Sequence, residues 1–137
     1  MTKPKQKETR GARNHNPLNI RVGNSWLGEV HNPTESEFEQ FVSDKYGLRA
    51  AFIILRRYIR RYGKNTIRKI VSTWAPAHEN PLDMYISYVS HSSGIDPDEV
   101  IRFEDTDKLV PIVKAMAYYE SHVSLTEADI LAAYNIA

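Results

Sequence analysis

Thr106-Asp-Lys-Leu-Val-Pro-Ile-Val-Lys-Ala-Met-Ala-Tyr-Tyr-Glu-Ser-His122 is the stretch whose reading decides the fold. Leu109, Ile112, Val113 and Met116 recur at i, i+3, i+4 and i+7, the period of one buried helix face, and the next position on that stripe is Glu120. An acid stands where a core residue is due. Thr106 or Asp107 can cap the start, and with Asp107 as the cap Pro111 comes early enough to forfeit no intrahelical bond. The Ser-His-Val-Ser run after Glu120 reads as the helix end. Glu120 then sits at a helix C-terminus, where the dipole and partial burial both disfavour the charged carboxylate. A carboxyl that keeps its proton at neutral pH is what general-acid catalysis needs. The plainer alternative is a surface glutamate at a frayed helix end.

Working back from this segment, Leu48, Ala51, Phe52, Leu55, Tyr58, Ile59 and Tyr62 lie on one helical face that starts at Asp44 or Tyr46 and ends at Gly63. Arg56, Arg57, Arg60 and Arg61 lie mostly on the other face, either as a solvated surface or as a phosphate-binding one. Asn65 or Thr66 opens a helix carrying Ile67, Ile70, Val71 and Trp74, stopped by Ala75-Pro76. Asn80 caps a restart with Pro81 at the first helical position, carrying Leu82, Tyr85, Tyr88 and Val89 and ending at Ser93-Gly94. Asp96-Pro-Asp-Glu99 has the pattern of a capping box and predicts a short helix through Val100, Ile101 and Phe103. Thr126 caps a last helix carrying Ile130, Leu131 and Tyr134.

The start of the chain differs in character. Residues 1–13 are basic, polar and nearly free of large apolar side chains, as in a flexible, loosely docked arm, and residues 14–137 form a single domain. From Asn14 to Gly28, Asn, Gly and Pro mark turns, while Ile20, Val22, Trp26 and Val30 mark short strands around a Gly23-Asn24 hairpin turn. Phe38, Phe41 and Val42 mark a second strand pair. The expected class is therefore mainly α, with a small β-hairpin region.

At 137 residues the chain supports one domain burying roughly two-thirds of its unfolded surface. The formal net charge of +1 gives no strong pull on nucleic acid, so nucleic-acid binding through the arm and the arginine face is a second, weaker reading. Cysteine is absent, which excludes disulfides and thiolate metal sites. No run reaches membrane-span length, and the N-terminus lacks the apolar segment of a signal peptide. The five histidines, His15, His31, His78, His91 and His122, have no ligand spacing, so neither a metal nor a cofactor is expected. There is no phosphate-cradling glycine loop and no Gly-x-Ser-x-Gly elbow. Carboxylate chemistry remains. Glycoside cleavage needs a protonated acid for the leaving oxygen, while a second carboxylate or the substrate's acetamido group stabilises the cationic sugar. Glu120 suits the first role, and Glu29 and Glu35 suit the second more loosely.

Val113-Lys-Ala-Met-Ala-Tyr-Tyr-Glu120-Ser121 resembles the helix-ending Glu-Ser motif of lytic transglycosylases and goose-type lysozymes. Asn14-His-Asn-Pro-Leu-Asn-Ile-Arg21, with Trp26-Leu-Gly28, resembles segments of bacterial glucosaminidases of the same lysozyme-like superfamily, with Leu18-Asn19 in place of Phe-Gly. Pro76-Ala-His-Glu-Asn-Pro-Leu-Asp-Met-Tyr85-Ile-Ser-Tyr-Val89 is similar to the Glu-Thr-x-x-Tyr-Val stretch of the transglycosylases. In those families the Glu-Ser helix comes first, whereas here it comes last. A circular permutation restores the order, and domains with neighbouring termini tolerate one. The run from Arg10-Gly-Ala-Arg through Trp74-Ala-Pro to Tyr119-Glu120 also resembles small phage and prophage virion structural proteins.

The resemblance implies a lysozyme-like enzyme acting on peptidoglycan glycan strands, as a lytic transglycosylase or a muramidase, with Glu120 as the acid. Ser121, Asn16, Asn19, Trp26, Glu79 and Tyr85 are the implied substrate-side residues. For several of these a structural reading stands beside the functional one: Glu79 as a helix-start partner, Tyr85 as core with its hydroxyl toward the acid, Trp26 as a half-buried hairpin residue, and Asn16 and Asn19 as turn formers. The implied setting is the bacterial cell wall or a phage particle, with other virion or secretion components as further partners. A catalytically inactive virion or wall-binding protein of the same fold is the alternative.

Overall fold

The computed structural model describes residues 8–75 and 81–137. Its helices are α1 (Arg10–Arg13), α2 (Asp44–Arg61), α3 (Ile67–Trp74), α4 (Leu82–Ser93), α5 (Thr106–Ser121) and α6 (Glu127–Asn135). The fold is mainly α, as expected. The five-residue segment 76–80 lies outside the described residues, and with it Glu79 and the Asn80 cap.

Helix α5 is the centre. Besides the stripe of Leu109, Ile112, Val113 and Met116, it buries Val110, Ala115 and Ala117, so it is apolar around most of its circumference. A helix of that kind needs neighbours on several sides. It packs against α4, α6 and α1, while α2 packs on α6 and α3 on α4. Phe52, Leu55, Ile67, Ile70, Tyr85 and Ile101 are fully buried around it.

Local chemistry sets most of the helix ends. Thr66 Oγ1 accepts from Lys69 N at 3.2 Å, and Thr126 Oγ1 accepts from Asp129 N at 3.1 Å. Gly94 closes α4 at φ 73°, a left-handed conformation that glycine adopts without strain. Pro81 stands at the cap of α4, one residue before its expected place. Helix α5 starts earlier than expected, after Asp105. Pro111 is therefore its sixth residue, and its missing N–H does remove one intrahelical bond, the one to the Asp107 carbonyl.

Three expectations are corrected. No helix forms between Asp96 and Phe103: Asp96 makes its local turn bond, but the two acids that follow pair with distant cations. Asp96 Oδ1 accepts from Asp98 N at 2.8 Å, Asp98 pairs with Arg68, and Glu99 pairs with Lys108 at 2.9 Å. The Gly23-Asn24 hairpin is also absent. Instead, one segment around Phe38 and Phe41 pairs antiparallel with Arg21 and then with Glu29, through Val22 N to Glu37 O and Val30 N to Gln40 O, each 3.0 Å. Lastly, the end of the expected flexible arm is folded: Thr9 caps α1, and Gly11 is buried against α5.

Truncating the central helix tests its role. Met116→Ala removes a side chain with no exposed surface and is expected to lower the unfolding free energy by about 2–5 kcal/mol, read from the denaturant midpoint.

Candidate active site

The site is built where the end of α5 meets the loop after α1. Ser121 is buried, and its Oγ donates to the Pro17 carbonyl at 2.8 Å, while Thr9 Oγ1 donates to the Ser121 carbonyl at 2.5 Å. The Ser121 and Asn19 side chains press so closely on Gly11 that a Cβ there would stand 1.8 Å from Ser121 Oγ. Only glycine fits there. His122, at φ 55°, turns the chain out of the helix.

Asn19 fixes the acid. It adopts the left-handed region at φ 53°, which asparagine tolerates better than most residues. Its Nδ2 donates to Glu120 Oε1 at 3.1 Å and to the Glu120 carbonyl at 3.2 Å. One amide thus holds the carboxylate and the helix end together. Behind Glu120 lies Tyr85, which is fully buried and stacks on Tyr119 with ring centroids 4.0 Å apart. Burial first, then the Glu120 charge and hydrogen bonding toward that carboxylate, hold the Tyr85 phenol pKa well above its ordinary 10. No described group meets Tyr85 Oη at full hydrogen-bond geometry. The tyrosine is a neutral wall behind the acid.

In front of Glu120 opens a cleft of about 410 Å³, lined also by Asn19, Arg21, Asn24, Phe38, Ile54, Tyr58 and Trp74. Trp74 is held by its Nε1, which donates to the Leu18 carbonyl at 2.8 Å, and it meets Tyr58 edge to face at 6.0 Å. Three aromatic rings and several polar groups in an open groove suit a polar ligand with apolar faces, such as a sugar.

The residues singled out from sequence divide sharply. Glu120 and Asn19 line the cleft, with Tyr85 and Ser121 behind it. Asn16 is a staple: fully buried, its Nδ2 donates to the Ile20 and Glu39 carbonyls and its Oδ1 accepts from Ile20 N. Trp26 is only 9% exposed and belongs to the core, so Trp74 takes the position foreseen for it. Glu29 and Glu35 are not in the lining of the Glu120 cleft but in that of an adjoining recess of about 140 Å³, which shares Asn24 and Phe38 with it. Glu35 is committed to structure: it takes Arg10 Nε at 2.9 Å and Asn14 Nδ2 at 3.2 Å. Hydrogen bonding to the Arg10 guanidinium is the chief cause that lowers its pKa from 4.5 to about 2. Tyr58, Trp74, Phe38 and Arg21 were not foreseen as site residues. The first two fall on apolar helical stripes that read as core, and the nearness of Trp74 to the Ala75-Pro76 stop was the available signal. Among the described residues no group of three or more acidic or histidine side chains gathers as for a metal ion, and no helix is long and apolar enough to cross a membrane.

The depressed pKa of Glu35 gives a pH test. Stability from the Arg10–Glu35 pair is complete above pH 4.5 and lost as pH falls toward 2. Glu35→Gln is therefore expected to be less stable than wild type at pH 7, with the gap closing near pH 2, measured as denaturant midpoints at the two pH values.

No protein-family model matches the chain. It is 38% identical over 99 residues to Protein P5 of Pseudoalteromonas phage PM2. The match takes in 69% of this chain and 62% of that protein, so the chain spans less than two thirds of the relative's length. By sequence, the chain is similar to a phage protein.

Proposed function

We propose that the chain cleaves the glycan strand of peptidoglycan by single-acid, lytic-transglycosylase chemistry, on a circularly permuted lysozyme-like domain. The observation that carries this reading is the Glu120 carboxylate, held by Asn19 at the mouth of an aromatic-walled cleft whose described lining holds no second carboxylate. Glu120 donates its proton to the glycosidic oxygen between N-acetylmuramic acid and N-acetylglucosamine, and the C1–O bond breaks. The substrate's acetamido group stabilises the sugar cation. The Glu120 carboxylate then takes the C6 hydroxyl proton as O6 closes on C1, giving an anhydro ring and restoring the acid. Hydrolysis through Glu29 or Glu35 is disfavoured, since both face another recess and Glu35 is ion-paired. The permutation is supported by the bonds that join Pro17 and Asn19 to the end of α5, which put the first loop directly after the acid-bearing helix in space.

A second reading, a virion component with no catalytic activity, is favoured by the likeness to a phage protein. The two differ in one assay. Purified protein incubated with peptidoglycan is expected to release anhydro-muropeptides, and Glu120→Gln to reduce release by a factor of about 100 or more. No release from wild type overturns the enzymatic reading in favour of the virion component, and undiminished release from the variant overturns Glu120 as its acid. Asn19→Gly keeps the left-handed backbone and removes the amide, so release is expected to fall roughly tenfold with folding retained.

A further inference from the structure

Ile54, Arg57, Tyr58 and Arg61 fall at i, i+3, i+4 and i+7 of α2 and so form one stripe of that helix. Ile54 and Tyr58 line the Glu120 cleft, and the two arginines share their helical stripe next to it without lining it. Both are exposed. The Arg57 guanidinium stands 6.0 Å from the Trp26 ring centre, and that of Arg61 stands 5.9 Å from the Tyr62 ring centre. Several surface cations are matched by acids, Arg60 by Glu104, Arg68 by Asp98 and Lys108 by Glu99, while Arg49 is held by the Ile136 carbonyl instead. Neither Arg57 nor Arg61 has a carboxylate partner among the described residues. Two unmatched guanidiniums about one helical turn apart, beside a sugar-sized groove, suit ligand carboxylates, which a guanidinium takes in bidentate fashion.

We propose that Arg57 and Arg61 recognise the carboxylates of the stem peptides carried by the glycan strand, so that the cleft takes peptide-bearing rather than bare strands. This rests on the glycan-cleaving reading. Duplex nucleic acid fits the same cations less well: two arginines on a chain of net charge +1 fall short of the roughly 6–10 phosphate contacts that support such binding at physiological salt.

The test is binding of the uncut complex. The Glu120→Gln protein is titrated by anisotropy against labelled glycan strands that carry their stem peptides and against the same strands stripped by an amidase. Peptide-bearing strands are expected to bind about fivefold more tightly at low salt, with the preference fading as salt rises. Adding Arg57→Gln and Arg61→Gln is expected to abolish the preference while leaving affinity for stripped strands and the thermal midpoint unchanged. Equal affinity for both strands, or a preference that survives the double substitution, overturns the arginine assignment alone. Failure of both strands to bind overturns the glycan reading with it. Binding of duplex DNA that the double substitution removes, with no strand preference, assigns the two arginines to nucleic acid instead.

Discussion

The bond from Ser121 Oγ to the Pro17 carbonyl is the constraint on which the rest of the site depends. A neutral hydrogen bond is worth only about 1 kcal/mol net, but both of its groups are sealed inside the protein, where leaving either unpaired costs more. It fixes the distance between the end of α5 and the loop after α1. That distance is short enough to require glycine at position 11 and to bring the Asn19 amide onto Glu120. Thr9 closes the same clasp from the other side. The orientation of the acid is thus set by backbone contacts between segments about a hundred residues apart rather than by its own helix alone.

The environment of Glu120 is asymmetric in a way that suits proton transfer. On one side stands buried Tyr85, whose phenol stays neutral, stacked on the partly exposed Tyr119, against which Tyr88 tilts at 5.6 Å. On the other side is an open groove with polar rims. The acid groups foreseen as partners line another recess, and the charge of one of them, Glu35, is used in folding. Glu35 ties α1 to the β region through Arg10 and Asn14. An acid spent on holding two segments together is unavailable to activate water.

How much of this was legible in the sequence depended on how local the cause was. The stripe of α5, the Thr66 and Thr126 caps and the left-handed Gly94 are decided within a few residues, and they stand as the pattern implies. The misreadings came where a distant partner outweighed a local signal. Asp96 to Glu99 carries the letters of a capping box, yet Arg68 and Lys108 draw its acids away. Gly23-Asn24 looks like a hairpin turn, yet a third segment offers both candidate strands a better ladder. Periodicity marks Trp74 and Tyr58 as apolar-face residues but cannot say whether the surface they meet is core or cleft. Asn16 and Asn19 carried the same two readings, substrate-side residue or turn former, and only the fold separates the amide that holds the acid from the amide that staples the loop.

The clasp between Pro17 and Ser121 also orders events in time. Closing a flexible loop of about a hundred residues costs roughly 4 kcal/mol of chain entropy before any contact repays it. A ribosome delivers the loop long before the helix that completes it, so the cleft cannot exist on a nascent chain that has not passed residue 121. The groove is therefore offered only by chains in which α5 is complete, which makes its appearance a nearly all-or-none step in folding.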